Sequence, residues 1–111
     1  MLQEFTATND VDEDGLPAGG NVTSIGLSIE WQKGPRGIDD YGELGEPNGA
    51  FVETVIAVAL QRIEWYQEVN GGRFACEENA NAIDYLRGAL DVLDARTKDR
   101  QRRGVEGTHQ T

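Results

Sequence analysis

Five of the ten basic residues in this chain fall within the eight positions from Arg96 to Arg103. On a helix, Arg96, Arg100 and Arg103 follow i, i+4, i+7 spacing and share a face. A guanidinium offers planar paired donors that match two oxygens of a phosphate, so this pattern points to capture of a phosphate-bearing anion. It also has a plainer use. Cations in a last helical turn complement the helix dipole, and Asp99 and Glu106 lie close enough in sequence to pair with them. Asn79, a polar position on an otherwise apolar helical seam, either sets the register of a packed interface or reads the edge of a base. The helical distance from Asn79 to Arg96 is about 25 Å at roughly 1.5 Å per residue. One small ligand cannot touch both on a single chain, so a site that uses both lies between protomers.

The catalytic inventory is thin. His109 is the single histidine and falls in a polar tail. Cys76 is followed by Glu77 and Glu78 rather than by the cations that activate a thiolate. No Cys/His cluster has zinc spacing, and no glycine-rich phosphate loop precedes a helix. The stretch from Asp10 to Gly15 resembles part of a calcium loop but lacks the distal glutamate, and reads as a solvated acidic loop. These features predict a non-enzymatic protein without cofactor or metal.

The elements that must position the arginines follow from periodicity. Ile25, Leu27, Ile29 and Trp31 alternate with polar residues, which predicts a half-buried strand over residues 21–33. Residues 1–20 give a short alternating piece, Leu2 to Thr6, and then a loop through Pro17 and Gly20. Pro47-Asn48-Gly49 reads as a helix start with Asn48 as N-cap, and a first helix runs from about Gly49 to Glu68. It carries one apolar stripe of Val52, Val55, Ile56, Ala59, Ile63 and Tyr66, and a second of Phe51, Val58 and Trp65. Asn70-Gly71-Gly72 closes it. A second helix spans Glu77 to about Arg102, with Ile83, Leu86, Leu90 and Leu93 as its seam. Asn79, Thr97 and Arg100 extend that seam, and Gly104 ends the helix.

The predicted fold is α+β: a small N-terminal antiparallel sheet followed by a long antiparallel helical hairpin. Residues 1–46 hold the strands and the acidic and glycine-rich loops. Residues 47–111 hold the hairpin and tail, all forming one compact unit. The hairpin puts the Arg96–Arg103 end near the exposed amides of Asn48 to Phe51, which also favour an anion. The breadth of apolar surface on the first helix predicts a homo-oligomer.

Charge narrows the partners. Residues 1–60 hold eleven acids against Lys33 and Arg36 alone, and the chain carries a net charge of −10. One concentrated basic spot on an acidic protein suits a small anion; duplex nucleic acid needs a broad basic face. No apolar run reaches the roughly 20 residues of a membrane span, and no signal peptide is evident. With its lone cysteine, the chain is expected to be soluble and intracellular.

Asn48-Gly49-Ala50-Phe51-Val52, Phe74-Ala75-Cys76-Glu77-Glu78-Asn79-Ala80, Ala95-Arg96-Thr97-Lys98-Asp99-Arg100 and Arg103-Gly104-Val105-Glu106-Gly107-Thr108-His109 together resemble the bacteriophage sponge proteins that counter Thoeris immunity. The segment Ser24 to Gln32 is also similar to that family, so the resemblance covers roughly residues 21–109. It implies binding, without cleavage, of the cyclic ADP-ribose isomer that Thoeris makes on infection. A related hairpin occurs in phage proteins that sequester the cyclic di- and trinucleotides of CBASS immunity. The resemblance further implies a dimer or higher assembly, up to a hexamer, with ligand sites between subunits in the cytoplasm of the infected host. By similarity, Asn79, Arg96 and Arg100 are the first ligand candidates, followed by Arg103, with Phe74 stacking on adenine. The competing expectations are a cyclic-oligonucleotide sponge, a structural hairpin that binds another helix, and an enzyme that degrades the signal.

Overall fold

The computed structural model describes residues 1–111. Three strands, β1 (Thr6–Val11), β2 (Pro17–Ser24) and β3 (Leu27–Glu30), precede two helices, α1 (Val52–Gly72) and α2 (Glu77–Arg103). The strands form one antiparallel sheet in the order β1-β2-β3. The architecture is therefore α+β, a small sheet followed by two helices. The chain divides into two compact units: Met1–Phe51 with Arg103–Thr111, and Val52–Arg102.

In the first unit, β1 and β2 are joined by a turn that Asp12 organises. Its Oδ1 accepts the amides of Asp14 at 2.9 Å and Leu16 at 3.0 Å, the usual way an aspartate closes a tight turn. The acidic stretch expected as a loop is thus narrower than its composition suggested. Asn9 and Asp10 belong to β1, and Pro17 to Gly20 belong to β2. Gly20 lies opposite Asn9 with φ +129°, and a Cβ there would fall 2.0 Å from the Thr8 carbonyl oxygen. Only glycine fits where β1 crosses so closely. A Gly20→Ala substitution is expected to lower stability by about 3 kcal/mol, read as a loss of the hairpin's amide protection in hydrogen exchange.

The single strand expected over residues 21–33 is two strands. The chain reverses at Ile25-Gly26, where Gly26 has φ +76° and Ile25 is 84% exposed. Alternation continues unbroken through this turn, which is why periodicity alone hid it. Beyond β3, the Ala50 amide donates to the Glu30 carbonyl and the Gln32 amide to the Ala50 carbonyl, at 2.7 and 2.9 Å. Asn48 is not an N-cap. Its Oδ1 accepts the Lys33 amide at 2.7 Å and its own amide donates to Gln32 Oε1 at 2.9 Å, which ties the segment before α1 to the end of β3. The C-terminal segment joins the same unit: the Gly37 amide donates to the Gly107 carbonyl at 3.0 Å.

In the second unit, α1 leaves helical geometry at Val69, Asn70 and Gly71. Asn70 adopts φ +54°, the one non-glycine residue in the left-handed region, and closes the helix as its sequence predicted. The inward face of α1 is Ile56, Leu60, Ile63 and Gln67, at alternating spacings of four and three. Leu60 is the buried residue of this helix, although neither expected stripe contained it. Val52, Val58, Ala59, Trp65 and Tyr66, which those stripes did contain, are exposed. On α2 the expected seam holds throughout: Asn79, Ile83, Leu86, Leu90, Leu93, Thr97 and Arg100 are all buried or half-buried. Two links run between the helices. Arg87 Nη2 donates to Glu64 Oε2 at 2.9 Å, and Gln67 bonds the backbone of Cys76 twice. Leu60 and Ile83 are the only buried apolar side chains in the chain, and no side chain is fully enclosed.

Candidate ligand-binding site

α2 is one unbroken helix from Glu77 to Arg103, so the separation of Asn79 from Arg96 stays at about 25 Å. The candidates therefore fall into two groups, one at each end of the helix. At the far end, Arg100 is the only buried charged residue of the chain, 8% exposed, one turn beyond Thr97 on the inward seam. Arg96 and Arg103 are exposed, and Arg103 Nη2 donates to the Thr111 backbone oxygen at 2.5 Å. The remaining two cations are held by acids of their own helix. Lys98 pairs with Asp94 at 2.9 Å, and that hydrogen bond with the Asp94 carboxylate raises the lysine pKa above its ordinary value. Arg102 pairs with Asp99. The five cations thus sort themselves. Lys98 and Arg102 form exposed same-helix pairs, worth little, while Arg96 and Arg100 combine an exposed guanidinium with a desolvated one a single turn away. That combination suits a phosphate group, because a charge-assisted hydrogen bond strengthens as water is removed.

The amides of Asn48 to Phe51, expected to add to anion binding, are partly committed. Asn48 donates to Gln32 and Ala50 to Glu30.

At the near end, Asn79 is half-buried and its amide donates to Cys76 Sγ at 3.4 Å. Cys76 thus caps α2, a role its sequence context did not suggest; position and spacing, three residues ahead of Asn79, were the available signal. Gln67 fixes the cap by donating from Nε2 to the Cys76 carbonyl at 3.1 Å and accepting the Cys76 amide on Oε1 at 2.9 Å. Removing this clamp in Gln67→Ala should cost about 1–2 kcal/mol, with faster hydrogen exchange at Cys76 and Asn79 as the local readout. Phe74 is 57% exposed, and the Arg73 guanidinium lies over its ring, 5.6 Å from the ring centre.

Trp65 and Tyr66, expected in the apolar stripes of α1, instead form an exposed cluster with Arg62. Arg62 lies 4.4 Å from the Trp65 ring centre and 5.0 Å from that of Tyr66, and its Nε donates to the Tyr66 hydroxyl at 3.3 Å. Spacings of three and four from Arg62 were the signal that could have found it. Between the two helices, a groove of about 320 Å³ includes Glu64, Glu68, Asp84 and Arg87 in its lining. Three carboxylates against one guanidinium make it unsuited to a phosphate. No three His, Cys, Asp or Glu side chains converge as a metal site, and no helix is long and apolar enough to cross a membrane.

No protein-family model matches the chain. Over 83 residues, 75% of its length, it is 39% identical to Thoeris anti-defense 1 of Bacillus phage SBSphiJ7. The chain belongs to the Thoeris anti-defence family. The match covers 52% of that phage protein, so the chain spans about half the length of its Thoeris anti-defence relative. This Thoeris anti-defence protein holds Asn79 near the start of α2 and Arg96, Arg100 and Arg103 near its end.

Proposed function

We propose that this protein counters Thoeris immunity in the cytoplasm of an infected bacterium by binding a cyclic ADP-ribose isomer and sequestering it uncleaved. The observation that carries this reading is the placement of Arg100, a desolvated guanidinium on the α2 seam, one turn from the exposed Arg96. The ligand's pyrophosphate meets these two arginines, with Arg103 in support. Its adenine meets Asn79 and stacks on Phe74.

Because Asn79 and Arg96 stand about 25 Å apart on one rigid helix, the two halves of the site come from different protomers. The protein works as a dimer or a higher oligomer, up to a hexamer. The exposed face of α1, with Val52, Val58, Ala59, Trp65 and Tyr66, offers the apolar surface that such an assembly covers.

Calorimetry with purified protein and cyclic ADP-ribose isomers tests the reading. Tight binding is expected, with intact ligand recovered after the complex is heated. Ligand recovered as a cleaved product would identify an enzyme instead. Cyclic di- and trinucleotides serve as competitors. If they alone bind, the ligand class is wrong.

A further inference from the structure

On the inward face of α1, Ile56, Leu60 and Ile63 are followed by a glutamine, Gln67, where an apolar residue would continue the face. Both ends of its carboxamide engage a single residue. Nε2 donates to the Cys76 carbonyl at 3.1 Å, and Oε1 accepts the Cys76 amide at 2.9 Å. Two bonds to the backbone of one residue fix orientation as well as distance, as a pairing residue on a neighbouring strand does. Cys76 is exposed, so water would satisfy its amide and carbonyl if the glutamine were absent. The net stabilisation is therefore modest, and what the clamp chiefly removes is backbone freedom.

That freedom matters because of what flanks Cys76: Phe74 stands two residues before it and Asn79 three residues after. Phe74 is 57% exposed, so packing does little to place it and its position comes from the backbone. The start of its segment is held by turn bonds, from the Arg73 amide to the Asn70 carbonyl at 3.3 Å and from the Ala75 amide to the Gly72 carbonyl at 3.1 Å. The end is held by Gln67. The Cys76 carbonyl also accepts the Ala80 amide at 3.1 Å, and its Sγ accepts the Asn79 amide at 3.4 Å. The residue that Gln67 grips is thus also the one that starts α2. One side chain of α1 sets the place of both residues assigned to the adenine.

We propose that Gln67 is a positioning residue of the signal site, acting through the Cys76 backbone to hold Phe74 and Asn79 in the arrangement that receives the base. This role rests on the reading that those two residues meet the adenine. Each side chain that must be ordered on binding weakens affinity severalfold, so loosening this pair should cost about tenfold.

The test is calorimetry of the full chain with cyclic ADP-ribose isomers. Gln67→Met keeps the side chain's length and helix propensity but loses the amide's donor and strong acceptor. Its helical circular dichroism should match that of the parent chain, while affinity falls about tenfold. In a background carrying Phe74→Ala with Asn79→Ala, the same change should cost less than about twofold, because the groups it places are gone. In Arg96→Ala it should again cost about tenfold, because Arg96 meets the other end of the ligand. Unaltered affinity in Gln67→Met overturns the positioning role and leaves the proposed function standing. An equal loss in both backgrounds, or a loss of helicity, also overturns it and marks the clamp as structural alone. A parent chain that binds no isomer overturns the proposed function itself, and this role with it.

Discussion

An Arg100→Ala variant is expected to bind the cyclic ADP-ribose signal about a hundredfold more weakly than the parent chain, by calorimetry. Truncating one member of a buried, hydrogen-bonded charge pair typically costs 2–5 kcal/mol, much of it from the partner charge left unpaired, and a hundredfold loss is about 2.7 kcal/mol. Arg100 is the one charged side chain of this protein that is buried, so its contact with a phosphate is the least screened by water. Arg96, exposed a turn earlier, should contribute less: about tenfold in Arg96→Ala. Arg100→Lys should fall between Arg100→Ala and the parent, because a point charge replaces a two-pronged donor. Unchanged affinity in Arg100→Ala would remove the arginines from the site.

The second large effect concerns folding. Leu60→Ala should destabilise the protein by about 2–4 kcal/mol in urea unfolding followed by helical circular dichroism. Most proteins of this size distribute such a loss over a larger core. Here Leu60 and Ile83 are the only buried apolar side chains, and neither is fully enclosed. Removing either takes away a large share of the monomer's burial, and Ile83→Ala should behave alike. Tyr85→Ala, at a position 79% exposed, serves as the control and should shift stability by less than about 0.5 kcal/mol. If the protomers assemble as proposed, the melting temperature of the parent chain rises with protein concentration. A concentration-independent melt would count against assembly while leaving the Leu60 prediction in place.

The two helices differ in how plainly their sequences announce their packing. On α2 the apolar positions are few and heptad-spaced, so only one face fits and the seam from Asn79 to Arg100 is legible. On α1 the run Val55-Ile56-Ala57-Val58-Ala59-Leu60 is apolar on every side, so period alone cannot say which residue turns inward. Leu60 was missed for that reason. The sheet shows the same limit. Ile25, Leu27 and Ile29 keep alternating through the Ile25-Gly26 reversal, and Gly19-Gly20 looks like loop when it is a crossing point inside a strand. Asn48 satisfied the chemistry of an N-cap, but Lys33 and Gln32, fifteen and sixteen residues earlier, took its hydrogen bonds. The arginine end of the site was legible because a helix converts spacing into position. The Cys76 cap and its Gln67 clamp were not, because they depend on which groups the fold brings around them.

The two tryptophans of this chain are divided between its two compact units, Trp31 in one and Trp65 in the other. Each unit therefore carries its own intrinsic fluorophore. Trp65 lies under the Arg62 guanidinium and 5.6 Å from the Tyr66 ring, with Trp31 at the sheet's end bridged to Ala50. Replacing either by phenylalanine leaves a protein whose emission reports on a single unit. Comparing the two single-tryptophan proteins in one denaturant series then distinguishes concerted loss of structure from stepwise loss, without any added dye.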